Sequence, residues 1–131
     1  MSQENVEAIY RAFDAYTRRD LNAVLALYDP DVEITPLMGP AAVTYHGHEG
    51  GRRFWNEVLD LFPDFSVEVL EARDLGDLVF GAVCIRGHGT GSDVPSEQAV
   101  WYASEWRDGK LLWYRAYESE SDALEAVGLR E

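Results

Sequence analysis

Apolar residues recur at three- and four-residue spacing through the first thirty positions, which predicts two consecutive amphipathic helices. The first helix is expected to begin at Ser2, and Asp20 is expected to cap a shorter second one. A third amphipathic segment is predicted to end at Pro63, because proline cannot continue a helix. The apolar stripes of these three helices contain Val6, Ile9, Phe13, Tyr16, Leu21, Val24, Leu25, Tyr28, Phe54, Trp55, Val58 and Leu59.

Alternating polar and apolar residues dominate the second half of the chain, which predicts strands. A short strand over 31–36 is expected before the third helix, and a last helical turn over 123–127 is expected to end at Gly128. Four further strands are predicted at 65–69, 78–86, 99–107 and 111–119. Helices that precede antiparallel strands favour one α+β domain over 1–131, with the helices packed on one face of a curved antiparallel or mixed sheet.

The dipeptide Asp108-Gly109 predicts a tight hairpin between the last two strands. If one register holds along the hairpin, Ser104 faces Trp113 and Tyr102 faces Arg115. The face expected to meet the helices then carries Val100, Tyr102, Ser104, Trp106, Leu111, Trp113, Arg115, Tyr117 and Ser119. The opposite face, which includes Trp101 and Tyr114, is too apolar for a solvated surface, so a homodimer through the outer sheet face is predicted.

The predicted inner face mixes aromatic bulk with a few hydrogen-bonding groups, which is typical of a small-molecule pocket. Arg115 is informative there, because an inward guanidinium needs a carboxylate, carbonyl groups or an anionic ligand. The alternative is that Arg115 packs against Trp113 or Tyr102 at the rim. The predicted ligand-binding residues are Tyr16, Trp55, Ser104, Trp113, Tyr117 and Ser119.

The formal net charge of −13 over 131 residues disfavours binding to nucleic acid or to anionic membrane surfaces. No positively charged segment precedes an apolar run at the N-terminus, so a cytoplasmic location is expected. Cys84 is the single cysteine, which excludes an intrachain disulfide, and it is expected to be a small buried strand residue.

Two residues are candidates for acid–base chemistry. His46 precedes the third helix, and histidine changes charge near neutral pH. Glu33 is the carboxylate on the first predicted strand that could act as a base. A capping or surface role remains open for His46, and solvent exposure remains open for Glu33. His46 and His48, with Glu49 beside them, have no third ligand at a recognised spacing, so no metal site is predicted.

Three segments together resemble a known family: the opening VEAIYRAFDAYTRRDLNAVLALYDPDVEI, the YHGHEGGRRFW stretch before the third helix, and the closing WRDGKLLWYRAYESESDALEAVGL. In this order they look like the SnoaL-like branch of the nuclear transport factor 2-like superfamily, over nearly the whole chain. The resemblance implies a cone-shaped α+β barrel, often dimeric through the outer face of its sheet.

For an enzyme, the resemblance implies isomerisation or cyclisation of a small apolar, oxygen-bearing molecule by proton transfer next to a carbonyl, without a cofactor. Tyr102 or Arg115 would polarise the carbonyl, and His46 or Glu33 would move the proton. The chain departs from the family at Ser119, where relatives often carry an acid. Tyr102 stands where relatives often carry histidine, and the first strand lacks the aspartate base of ketosteroid isomerases. A non-catalytic ligand-binding or accessory domain is therefore the alternative.

Overall fold

The amphipathic spacing at the start of the chain produces two helices, as predicted. Helix α1 covers Ser2–Thr17 and α2 covers Leu21–Ala26. Asp20 caps α2, because its Oδ1 accepts a hydrogen bond from the backbone N of Ala23 at 3.1 Å. In this computed structural model, residues 2–39, 42–89, 91–126 and 128 are described.

Six strands form one mixed sheet in the order β2-β1-β6-β5-β4-β3. The β1–β6 pair is parallel and the other pairs are antiparallel. The elements that follow α2 are β1 (Tyr28–Thr35), β2 (Tyr45–His46), α3 (Gly47–Leu61), β3 (Ser66–Leu75), β4 (Leu78–His88), β5 (Pro95–Arg107), β6 (Lys110–Tyr117) and α4 (Glu120–Ala126). The two-residue strand β2 was not predicted, and Val127 lies outside the described residues.

Strand β1 begins three residues earlier than predicted, so that it includes Pro30. Proline cannot donate a ladder hydrogen bond and is normally excluded from a paired strand. Here the pairing with β6 is irregular between Tyr28 and Glu33, and Pro30 falls in that gap. The strand therefore tolerates the proline that was expected to precede it.

Helices α1 and α3 pack on one face of the sheet, as predicted, and α4 packs on the other. On β4, Val79 and Val83 belong to the main core beneath α1, whereas Phe80 points the opposite way and meets Ala123 and Leu124 of α4. Cys84 is buried on the same strand, as predicted.

An extra residue in β6 changes which side chains face the helices. The Asp108-Gly109 turn forms as predicted, with φ values of 54° and 77°, and Trp106 pairs with Leu111. The next pair is Glu105 with Trp113, so Leu112 is a bulge residue. Because side chains alternate between faces, this single residue exchanges the two faces of β6 beyond the bulge.

Gly81 lies where β3, β4 and β5 come closest together. A Cβ atom at this position would lie 2.0 Å from the carbonyl O of Glu71 and 2.7 Å from Oη of Tyr102. Gly81→Ala should therefore lower the free energy of unfolding by about 1–3 kcal/mol or more. Urea denaturation measures the change. Gly89→Ala is the matched control, because its Cβ would meet no atom within 4 Å. Equal stability of the two variants would contradict the packing described here.

Candidate functional site

A cavity of about 240 Å³ lies between the helices and the inner face of the sheet. Its wall is formed mainly by aliphatic and aromatic side chains from α1, α3 and the strands, and by Phe62 and Phe65 from the segment between α3 and β3. The other lining residues are Ile9, Ala12, Phe13, Tyr16, Tyr28, Ile34, Pro36, Phe54, Val58, Val67, Val83, Ile85, Arg86, Gly87, Ser96, Gln98, Val100, Trp106, Leu111 and Tyr114. A wall of this kind selects an apolar ligand.

Three tyrosines of the cavity wall have buried hydroxyl groups that lie near one another. Tyr16 comes from α1, Tyr28 from the start of β1 and Tyr114 from β6. The hydroxyls of Tyr16 and Tyr28 are hydrogen-bonded to each other. Tyr114 stacks on Tyr102 with a ring-centroid distance of 5.5 Å, and its hydroxyl has no hydrogen-bond partner among the described residues. No buried polar side-chain atom of the described chain lacks a partner, so the Tyr114 hydroxyl is accessible from the cavity.

Glycines at the start of α3 allow Tyr28 to take this position. A Cβ at Gly51 would lie 2.9 Å from Cε2 of Tyr28, so a larger residue would displace the ring. Gly50 gives the same close approach to the backbone of Tyr45 on β2. His48, predicted to lie at the start of this helix, lies in its first turn, and its Nε2 is 2.9 Å from the carbonyl O of Tyr28. The glycines of this stretch thus allow the start of α3 to pack closely against Tyr28 and Tyr45.

The open end of the cavity is polar but carries no free charge. Arg86 reaches the wall there, and its guanidinium is paired with Glu68 at 2.8 Å and with Glu97 at 2.6 Å. Ser96 and Gln98 are exposed at the same end. Within the described chain, no aspartate, glutamate or histidine belongs to the cavity wall. The cavity therefore offers hydroxyl donors inside and no carboxylate or imidazole base.

A SnoaL-like domain model matches residues 9–114 of the chain. The chain belongs to the SnoaL-like domain family. No curated protein matches it. Solved structures match this SnoaL-like domain over most of its length, and they support the nuclear transport factor 2-like, cone-shaped α+β fold.

Three examples of these structures include two complexes with small molecules and one proposed polyketide cyclase. A Catenulispora acidiphila protein with a ketosteroid isomerase-like fold, in complex with trimethylamine, is 21% identical, with 94% of this chain and 93% of that chain covered and a TM-score of 0.78. IdmH, a proposed polyketide cyclase from Streptomyces antibioticus, is 24% identical over 94% and 97%, with a TM-score of 0.73. A Mycobacterium tuberculosis protein in complex with estradiol-17beta-hemisuccinate is 18% identical over 92% and 96%, with a TM-score of 0.77.

None of the described helices is long and apolar enough to cross a membrane.

The bulge places several predicted pocket residues of the SnoaL-like domain on the outer face of the sheet. The prediction that Trp113, Arg115 and Tyr117 face inward is wrong, and so is the assignment of Tyr114 to the outer face. Arg115 instead lies over the Trp113 ring, with its Cζ 4.5 Å from the ring centroid, which is the packing alternative considered above. Ser119 does not reach the cavity either, because it follows β6, where its Oγ accepts a hydrogen bond from the backbone N of Asp122 at 3.2 Å.

Other predicted residues point inward but do not reach the cavity. The Tyr102 hydroxyl donates to the carbonyl O of Glu71 at 3.3 Å. Ser104 is fully buried, and its Oγ donates to the carbonyl O of Val79 at 3.1 Å and accepts from Nε1 of Trp106 at 3.0 Å. Trp55 is buried behind Tyr16. Among the predicted ligand-binding residues, Tyr16 is the one on the cavity wall.

The two predicted acid–base residues lie close to each other and outside the cavity. Glu33 and His46 are paired across β1 and β2, with Nδ1 of His46 3.9 Å from Oε2 of Glu33. Their side chains are 48% and 70% exposed. His46 also holds the N-cap position of α3, without a side-chain capping bond. A ligand in the cavity is therefore out of contact with both residues.

Burial keeps the phenols of the cavity protonated. It raises the pKa of Tyr16 to about 12, and the hydrogen bond with Tyr28 offsets this only partly. The pKa values of Tyr28 and Tyr114 are also raised by burial, and neighbouring phenols add to the effect. All three groups act as neutral hydroxyls near neutral pH. Sequence reasoning missed Tyr28, which it placed on a helix, and Tyr114, which it placed on the outer face.

The raised pKa of Tyr16 predicts a loss of stability in alkali. The unfolded chain releases this proton near the reference pKa of about 10, whereas the folded chain holds it to about pH 12. The stabilisation is complete below about pH 10 and declines above it, by up to about 3 kcal/mol. Tyr16→Phe should therefore lose less stability than the wild type between about pH 9 and about pH 11.5. Urea unfolding at each pH measures this, with Tyr10→Phe, an exposed tyrosine, as the control. An identical decline in wild type and Tyr16→Phe would contradict it.

Proposed function

We propose that this SnoaL-like domain binds a small, largely apolar molecule and holds an oxygen atom of that molecule on the hydroxyls of Tyr16, Tyr28 and Tyr114. The observation that supports this function is the group of three neutral phenols on a cavity wall that is mainly apolar. Water-excluded hydroxyls of this kind fix a ligand's orientation, while the apolar wall provides most of its affinity.

The geometry leaves protons free for a ligand. Tyr16 and Tyr28 share one hydrogen bond, which uses one of their two hydroxyl protons. The second proton and that of Tyr114 remain, so two O–H groups can converge on one carbonyl or hydroxyl oxygen. The apolar surroundings strengthen such bonds, because the local dielectric constant is low.

Binding without catalysis fits the cavity better than the isomerase or cyclase scheme does. That scheme requires a group that accepts a proton from the ligand, and the residues predicted for this role, His46 and Glu33, lie outside the cavity. The predicted polarising residue Arg115 lies on the outer face. The ligands in the Catenulispora and Mycobacterium structures support a small-molecule role for the fold.

Removing one free O–H donor at a time tests the proposed site. With 2-acetylnaphthalene as the probe, Tyr114→Phe and the double variant Tyr16→Phe/Tyr28→Phe should each weaken binding by about 2- to 10-fold, because each leaves one free O–H donor where the wild type has two. Isothermal titration calorimetry measures the affinity. The infrared C=O stretch of the bound ketone should rise in each variant as its hydrogen bonding weakens.

Tyr10→Phe is the matched control, since it removes the same atom from a side chain that is 49% exposed on α1. It should leave both the affinity and the C=O stretch unchanged. If the cavity variants behave like Tyr10→Phe, or if the ketone does not bind the wild type, the proposed function is wrong.

We also propose that two copies associate through the outer face of the sheet. Trp101, Trp113 and Tyr117 are partly exposed there, on a face that α4 covers only in part. Because of the bulge, this face carries Trp113 and Tyr117 where the sequence predicted Tyr114. The face is nevertheless apolar, as predicted. A two-fold interface would bury the same patch on each copy.

Trp113→Ala tests this association. A central interface tryptophan commonly contributes about 2 kcal/mol or more, so the variant should weaken the dimer by about 30-fold. Sedimentation equilibrium measures the dissociation constant, and Tyr10→Ala should leave it unchanged. A wild-type chain that is monomeric at high concentration would contradict the proposed dimer.

A further inference from the structure

A second hollow, also of about 240 Å³, adjoins the mouth of the cavity. It lies between the segment that precedes β3 and the paired ends of β4 and β5. We call it the mouth hollow; it is lined by Asp64, Ser66, Arg86, Gly87, His88, Pro95, Ser96 and Glu97. Arg86, Gly87 and Ser96 also belong to the cavity wall, so the two spaces are contiguous.

Asp64 and His88 form a doubly hydrogen-bonded pair in this hollow. Oδ1 of Asp64 accepts from the backbone N of His88 at 2.7 Å, and Oδ2 lies 2.7 Å from Nδ1 of the imidazole. The backbone hydrogen bond from His88, followed by the bond from its side chain, lowers the pKa of the Asp64 carboxyl. An ionised carboxylate only accepts hydrogen bonds, so Nδ1 carries the proton.

This pairing fixes the chemistry of the other ring nitrogen. In a neutral imidazole with its proton on Nδ1, Nε2 has a lone pair and accepts a hydrogen bond. Nε2 of His88 has no partner among the described residues, and the side chain is 46% exposed. His88 therefore presents an oriented acceptor to the mouth hollow.

The charges around the hollow favour a ligand group that is neutral and donates a hydrogen bond over a ligand group that is anionic. Its charged neighbours in the described chain are Asp64, Glu97, Arg86 and, through Arg86, Glu68. Three carboxylates against one guanidinium leave a negative surplus, which repels carboxylate and phosphate groups. A neutral group that donates a hydrogen bond meets no such repulsion.

The pair is also fixed to the cavity wall. Asp64 lies between Phe62 and Phe65, which both line the cavity, and His88 follows Gly87, which lines both spaces. A Cβ on Gly87 would lie 3.2 Å from Oδ1 of Asp64 and 3.4 Å from Cα of Phe65, so the two segments are in close contact. The acceptor therefore has a set position relative to a ligand in the cavity.

We propose that the mouth hollow is a subsite for a hydroxyl group at the outer end of the cavity's ligand, and that this hydroxyl donates to Nε2 of His88. This inference rests on the proposed binding function and narrows its ligand class. The ligand is an apolar skeleton with an oxygen at each end: the inner oxygen meets the tyrosine hydroxyls, and the outer one is a hydroxyl.

Two probes that differ by one hydroxyl test the subsite. 4,4′-Biphenol has a hydroxyl at each end of a rigid apolar core, and 4-phenylphenol lacks one of them. Calorimetry at mildly alkaline pH should show that the wild type binds biphenol about 3- to 10-fold more tightly, beyond the roughly twofold advantage of its symmetry. His88→Leu should abolish this preference.

Asp64→Asn is the sharper variant, because it leaves the imidazole in place. The side-chain oxygen of the Asn can still accept the hydrogen bond from the backbone N of His88. In that orientation its NH2 group faces Nδ1 of the imidazole, so Nδ1 must accept. The ring proton then moves to Nε2, which becomes a donor. A phenol hydroxyl accepts a hydrogen bond less well than it donates one, so the preference for biphenol should fall. ¹⁵N NMR of the imidazole should report a proton on Nδ1 in the wild type and on Nε2 in the variant.

His46→Leu is the matched control, since it removes another exposed histidine beside a carboxylate, away from both spaces. It should keep the preference for biphenol. If neither probe binds the wild type, the proposed function fails. If both bind but the wild type shows no preference, or His88→Leu retains it, or Asp64→Asn retains it at the full wild-type size, the subsite is wrong and the binding function stands.

Discussion

The position of a single bulge residue in β6 determines what this SnoaL-like domain can hold. Leu112 has no partner of its own on β5. Every later side chain of β6 therefore lies on the opposite sheet face from the one it would occupy in a hairpin without the bulge. Tyr114 turns towards the helices, and Arg115 turns away from them. An inward, unpaired Arg115 would have made the cavity an anion site. With the bulge, its polar lining consists of neutral hydroxyls at one end, and of Ser96, Gln98 and an Arg86 that is paired with Glu68 and Glu97 at the other.

Desolvation then sets the chemistry of the cavity. Phenols that are removed from water lose their protons less readily, and the mutual contact of Tyr16 and Tyr28 adds repulsion against any second charge. The same burial that stabilises the folded chain therefore prevents these groups from acting as bases near neutral pH. In the described structure, the imidazole that adjoins the ligand space, His88, lies at the wetter end, where a carboxylate orients it.

Features specified by neighbouring residues could be predicted from the sequence. The cap at Asp20, the Asp108-Gly109 turn and the order of helices before strands all depend on local patterns. The bulge could not be predicted, because four consecutive apolar residues over 111–114 contain no alternation that fixes a face. The Asp64–His88 pair joins residues 24 positions apart whose contact depends on how the segment before β3 meets the end of β4.

The paired hydroxyls of Tyr16 and Tyr28 have a further consequence. Each oxygen can serve as donor or as acceptor, so the bond between them can run in either direction. Rotation of two O–H bonds reverses it without moving a ring. An incoming carbonyl would meet a hydrogen, whereas an incoming alcohol could meet a lone pair. The tyrosine rings can therefore stay in place while their hydroxyl groups either donate a hydrogen bond to the ligand or accept one from it. A ketone and the corresponding alcohol could occupy the same position in the cavity.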